Sequence, residues 1–525
     1  MKRTMMTLTG AAVALAAATG VAAVAAPGGT SAEAAHGAAR KPVERSALLC
    51  PTPTSSDVGE TTYTAFSPKG AAGEGTAELH AAGTVQETTG GKDKDDEDAK
   101  GDKGGKDAKD GGAPEAGQQT VPPRDRKPVA PLKSAGTPVT ATTNRSDAPA
   151  LTGEADGALA PGWTVQQTTS VAAGSGRGLL GLSCAAPDTT FWFPGVSTGK
   201  DRQDYVHLTN PDATQAVVDL ELRGKDGALS GDAGENIAVP PHTTVPVLLS
   251  TLTTSPQPDA ALHVTAREGR IGASVQASDT HRGGDWLPAA ADPAPGAVLP
   301  GIPADATSVR LIVLAPGDTD ADLKVQLATP TGSITPAGLE SLHVKSGMTT
   351  AVDLKNQGEA GSLVLSPADG GSRAPIVAAL QVTRGKGDNQ EMAFIPATRP
   401  VEARATAADN RAKGSTLSLV APEKGKDAKV TVTASAGSGG GSPVSKTYTV
   451  KGGTTLAVEP PHPQGLKGAY ALTVTPAPGS GPVHAARTLA LPQGAVPAFT
   501  VQTLPDDRGT VVVPTAGQDL SLLTD

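Results

Sequence analysis

The sequence predicts an all-β protein built from tandem immunoglobulin- or fibronectin-like β-sandwich modules with a disordered insertion. Three observations predict it. First, three hairpin-like strings recur in the same order about every 105 residues, the mark of one structural unit copied along the chain. Second, apolar and polar residues alternate within each copy, which is the period of a half-buried strand. Third, the 525 residues include 63 Gly and 45 Pro but only 2% aromatics, a composition of short strands and turns.

The first recurring string reads VVDLELRGKDG (217–227), ADLKVQLATPTG (321–332) and AKVTVTASAGSG (428–439). The second reads NIAVPPHTTVPVLL (236–249), SLHVKSGMTTAVDL (341–354) and TYTVKGGTTLAVEP (447–460). The third begins at Leu262, Leu363 and Leu472. Val309, Leu311 and Val313 fall on one strand face, as do Leu323, Val325 and Leu327, with Lys324 and Gln326 opposite. Asp226-Gly227, Ser346-Gly347 and Gly452-Gly453 supply turns. Seven or eight strands in about 100 residues fit a sandwich. A β-propeller with two blades per repeat is the alternative; it needs a half-period of about 50 residues, which the sequence does not show.

Taken in chain order, residues 1–26 read as a signal peptide or N-terminal anchor. Lys2 and Arg3 precede an apolar run, and Ala23-Val24-Ala25 is a small-residue cleavage site. The run is short and weak for a spanning helix, so membrane attachment is expected only through this segment, if it stays uncleaved. Residues 27–42 form a tether. The first module, read as degenerate, comprises 43–86 and 151–195, interrupted at 87–150. That interruption holds six Lys and eight acidic residues between Gly90 and Gly112, then a Pro/Thr-rich stretch. It has too little apolar surface to offset its ordering entropy and is expected to be disordered. Three repeats follow at 196–290, 291–398 and 399–510, with a tail at 511–525. Similar strings punctuate the module ends: FWFPG (191–195), DWLPA (285–289), AFIPA (393–397) and AFTVQ (498–502).

Cys50 and Cys184 are the two cysteines, each at the end of an apolar strand-like run before a proline. In an exported chain the default is a disulfide. It would tie the halves of the first module across the insertion, closing a loop to which chain entropy assigns about 4–5 kcal/mol.

Net charge is −9, mild and spread out, with no basic footprint for nucleic acid. No nucleophile elbow, zinc motif or phosphate-binding glycine fingerprint occurs, so no catalytic, cofactor or metal residues are assigned. His207, His263, His343 and His484 read as ordinary strand residues. Asp318, Asp320 and Asp322 alternate in a predicted turn as calcium ligands can, but the glycine and terminal glutamate of such a loop are missing, so they read as a solvated hairpin. Trp163, Trp192 and Trp286 are the candidate ligand-facing aromatics, able to stack on sugar rings if exposed; as buried rings they would instead pin modules together.

RGLLGLSCAAPDTTFWFPG (177–195), DYVHLTNPDATQAVVDLELRGKDG (204–227) and the following IAVPPHTTVPVLL resemble a secreted actinobacterial family known only as a domain of unknown function. The resemblance spans roughly residue 43 to the C-terminus, outside the low-complexity stretch. It implies export and a cell-envelope setting, and carries no activity and no functional residues. The expected function is non-enzymatic binding or presentation at the envelope, with a cell-wall polysaccharide or an envelope membrane protein as partner. A structural or adhesive stalk is the alternative, and an enzyme with a site between modules is the third reading.

Overall fold

The computed structural model describes residues 39–87, 118–123, 127–229, 231–354 and 358–513. The leader, most of the tether, the charged core of the insertion and most of the tail lie outside the described residues. Ala39–Pro42 and Thr510–Val513 pair in a two-stranded sheet. The modules themselves lie in the compact unit Pro42–Gly509.

That unit is all-β and repeats one eight-strand plan four times. The second module shows it most plainly. Its eight principal strands are Thr190–Val196, Arg202–Thr209, Ala216–Gly224, Ile237–Val239, Thr243–Leu248, Ala260–Glu268, Gly272–Asp279 and Gly283–Leu287, with the two-residue strand Gly227–Ala228 closing a hairpin on the third. Strands one, six, three and four form one sheet in that order; strands five, two, seven and eight form the other. The same two orders hold in the first module (Arg45–Cys50 to Gly178–Ser183), the third (Ala297–Ile302 to Glu391–Pro396) and the fourth (Ala405–Asn410 to Phe499–Thr503). Strands two and five pair, and three and six pair, as B–E and C–F do in an immunoglobulin sandwich. The first and fourth strands, however, lie in the sheet of the third and sixth, and the seventh in that of the second and fifth.

Period-two patterning is what builds these sandwiches. Along Ala216–Gly224, alternate residues Ala216, Val218, Leu220 and Leu222 are buried and those between are half-exposed. Ala428, Val430, Val432 and Ala434 repeat the pattern in the fourth module. Each Val or Leu so buried contributes about 1.5–3 kcal/mol, and the cores contain few residues larger.

Two boundaries differ from the sequence reading. FWFPG does not end the first module; it lies in the first strand of the second. Its counterpart is AVLPGI (297–302): both strands bulge at a Pro-Gly step, and Gly195 and Gly301 share a positive φ of 102° and 98°. The strings look alike because first and eighth strands are both buried against neighbouring modules. Secondly, the stretch 87–150, expected to be disordered throughout, contains two strands of the first module, Val129–Leu132 and Val139–Thr143. Ala130 and Leu132 are buried in its core. Pro131 fits because Val129–Leu132 is an edge strand, where a missing N–H breaks no ladder. The first module is therefore complete. Gly83–Glu87 and Gln118–Val121, at the ends of the remaining insertion, pair with each other, and Gly83 and Thr84 run parallel to Thr243 and Thr244 at the edge of the second module.

The modules close on one another in a cycle. Gly178–Ser183 packs on Gly283–Leu287, that strand on Glu391–Pro396, that on Phe499–Thr503, and the last returns to Gly178–Ser183. Cores run on across the junctions: Ala379, Met392 and Phe394 of the third module join the core of the second, and Ala486, Phe499 and Val501 of the fourth join that of the third. Closure needs small residues in the first module's eighth strand. A Cβ on Gly181 would lie 2.4 Å from Thr500 Cγ2.

The disulfide forms between Cys50 and Cys184, both buried, joining the first strand of the first module to the segment after its eighth. Cys50→Ala with Cys184→Ala is expected to lower unfolding stability by about 2–5 kcal/mol, measured by denaturant titration; an unchanged midpoint refutes this. Gly181→Val is expected to cost about 1–3 kcal/mol through overpacking, and to make the junction of the first and fourth modules the earliest site of limited proteolysis.

Candidate functional site

Two places concentrate polar chemistry: the buried junction where the eighth strands meet, and an open cleft between the second and third modules.

At the junction, Asp285 Oδ1 accepts hydrogen bonds from the Gly181 amide (2.9 Å), the Trp286 amide (2.8 Å) and Thr500 Oγ1 (3.3 Å). One carboxyl thus holds the first, second and fourth modules. Glu391, from the third, accepts from the Leu179 amide at 2.7 Å. Arg487 donates to Gln166 of the first module at 3.0 Å, and to Gln502. Gln166 also accepts from the Asp409 amide (2.8 Å), and Asp409 from Thr168 Oγ1 (2.8 Å). Asp285, Glu391 and Arg487 have no solvent exposure.

Burial dominates their protonation. It raises Asp285 well above the usual carboxylate range, despite the amides and Thr500. It pushes Glu391 up to about 8, partly opposed by the Leu179 amide, Arg177 and Arg384, and draws Arg487 down to about 10. Such shifts mark catalytic groups and structural networks alike. Here the groups are sealed among packed strands and bond to the backbone and side chains of the modules around them. The arrangement fastens the cycle.

The three tryptophans are buried, which corrects the expectation of exposed rings able to stack on a sugar. Trp286 is buried against Val171, Leu180 and Leu182 of the first module, with its ring edge-on to His207 at 5.3 Å. Trp192 stacks on His263 at 3.7 Å and packs on Ala261, Leu314 and Val377 at the junction of the second and third modules. Trp163 lies in the first module's core, its ring above Gly153. A core poor in aromatics spends its few large rings on burial.

The alternating aspartates are taken up locally. Asp322 and Asp320 flank His343 at 2.8 and 3.4 Å, and Asp320 accepts from the Ser346 amide. Among the described residues no cluster could hold a metal ion. His207 and His484 are buried, which lowers each to about 4 and keeps it neutral.

The accessible feature is the cleft, about 480 Å³. It forms where the turn Gly199–Arg202 and Asp259 of the second module face Ser308, Arg310 and Asp353 of the third. Arg310 is its centre. Nε and Nη2 reach Asp259 across the module boundary at 2.7 and 2.8 Å, while Nη1 reaches Asp353 at 2.8 Å. Two further guanidiniums are held from behind: Arg282 by Asp279 (2.7 Å), and Arg202 by the fully buried Asp204 (2.7 and 2.9 Å) with Phe394 of the third module beneath it. Burial raises Asp279, but the Arg282 guanidinium and the amides of His281 and Arg282, both at 2.9 Å, outweigh it and hold the carboxyl below its usual range. Four basic and four acidic side chains line an open concavity, an arrangement that can bind and orient a polar ligand. No sequence signal marks this cleft, because its residues come from loops and strand ends of two modules.

The family model described as "Family of unknown function (DUF5719)" matches residues 139–461, well over half of the chain. The chain belongs to this family. The match runs from the fifth strand of the first module into the fourth module, so it takes in the cleft and part of the sealed junction. No curated protein matches the chain, and no solved structure does.

Because Glu391 in the fold holds its proton up to about 8 while an unfolded glutamate releases it near 4.5, folding binds a proton between those pH values. The stability it supports is complete below pH 4.5 and declines as pH rises toward 8. Glu391→Gln keeps an acceptor for the Leu179 amide but cannot ionise. Thermal melts are expected to show the variant gaining on the parent from about pH 5 to pH 8; parallel curves would exclude this role.

Proposed function

We propose that this protein is an exported, non-enzymatic component of the cell envelope that acts by binding, its partner being a cell-wall polysaccharide or an envelope membrane protein. The observation that carries the reading is the contrast between the two polar sites: the groups at the junction with shifted protonation are sealed as fasteners, while the cleft opens to solvent and is lined by guanidiniums already paired with carboxylates, an arrangement suited to recognition. The sequence of residues 1–26, with Lys2 and Arg3 ahead of an apolar run, supports export. The Cys50–Cys184 bond agrees with an oxidising compartment. A linear stalk is less well supported, because the fourth module returns to the first.

The test is retention of the full chain, with its disulfide intact, on purified cell-wall polysaccharide and on detergent-solubilised envelope membrane. Saturable retention on either, with no change in the covalent structure of the bound material, is expected. Absence of retention on both, or release of cleaved fragments, would overturn the reading.

A further inference from the structure

We infer that the cleft between the second and third modules is a subsite for a neutral polyhydroxylated chain, that is, an uncharged glycan. The inference rests on the binding function proposed above and names its site and ligand class.

Matched valence points to this ligand class. Each guanidinium in the cleft already holds a carboxylate: Arg310 holds Asp259 and Asp353, and Arg282 holds Asp279. At a guanidinium, a phosphate or carboxylate ligand would have to displace one of these partners and then face the anion it displaced; Lys200, the remaining cation of the lining, is followed by Asp201, so the lining as a whole carries four basic and four acidic side chains. A cationic ligand meets the converse problem at the arginines. A sugar hydroxyl carries one donor and two acceptor sites, so it can accept from a guanidinium edge and donate to the lone pairs of the adjoining carboxylate without breaking the pair. The volume, about 480 Å³, falls in the usual range of small-ligand sites and accommodates a short oligosaccharide.

Geometry also favours a pre-formed site. Arg310 bridges two modules through Asp259, and Arg202 rests on Phe394 across the same boundary, so the walls are set before any ligand arrives. No tryptophan or tyrosine lines the cleft, so affinity comes from hydrogen bonds rather than ring stacking. Lys200, exposed on the second module, and Asp353, 68% exposed on the third, line the cleft from its two modules and can be changed without disturbing the core.

The experiment is calorimetric titration of the full chain with neutral gluco-, manno- and chito-oligosaccharides, alongside a polyuronate and inorganic phosphate, on the parent protein, Asp353→Ala and Lys200→Ala. The expected result is saturable binding of at least one neutral oligosaccharide, weakened about tenfold or more by Asp353→Ala at unchanged melting temperature and undiminished by excess phosphate. Neutral binding that survives both substitutions, displacement by phosphate or polyuronate, or no neutral binding at millimolar ligand would each overturn the assignment. A variant carrying both substitutions, applied to the envelope materials, separates the two proposals. Its retention at the parent's level leaves the binding function standing and removes the cleft from it, whereas failure of the parent itself to be retained defeats both.

Discussion

Everything in this fold depends on four eighth strands meeting in one place. Asp285 makes the constraint concrete, since its carboxyl gathers amides and a hydroxyl from three modules in a site closed to solvent. Desolvation makes unpaired polar groups there costly, and Asp285 Oδ2, Glu391 Oε2 and Arg487 Nε and Nη1 lack a protein partner, so the packed strands around the junction must offset that cost. Gly181 and Gly283 follow from the same demand, because a side chain at either would occupy the space of a neighbouring strand or carboxylate. So do the buried positions of Trp286 and Phe394, whose rings fill the seams beside the polar centre.

The sandwiches were legible in the sequence because their cause is local. Alternation along 216–224 and 428–434 is written one residue at a time, and the buried faces follow it. The disulfide was legible from two cysteines in matching contexts behind a leader-like start. What the sequence hid is whatever depends on module-to-module contact. FWFPG and DWLPA look equivalent because both are buried strands, yet they occupy opposite ends of a module. Val129–Leu132 reads as a proline-rich linker because an edge strand tolerates proline. The tryptophans could be read as exposed or buried; Trp163 is buried by its own module's core, whereas Trp192 and Trp286 are buried only by contact with a neighbouring module.

The candidate site was the least legible part. Arg310, Asp259 and Asp353 are ordinary charged residues in three separate segments, with no spacing that marks them. They become a site only because the second module's surface turns toward the third's. The junction misleads in the opposite sense: shifted protonation at Asp285, Glu391 and Arg487 resembles an active centre until access is considered. Exposure separates the two, and exposure is a property of the assembled cycle.

An open array of repeats can lengthen or shorten by whole units, since each end needs only a polar cap. A closed one has no ends. The return contact of Phe499–Thr503 on Gly178–Ser183 therefore fixes the number of modules at four: a fifth would open a gap at the centre, and a third without its fourth would leave Asp285 facing water. Growth of the chain is confined to places that leave the circuit intact. The connection between the third and fourth strands of the first module is such a place. Its two ends are held side by side, Thr84 opposite Val121, so additional sequence can accumulate beyond them without altering the count.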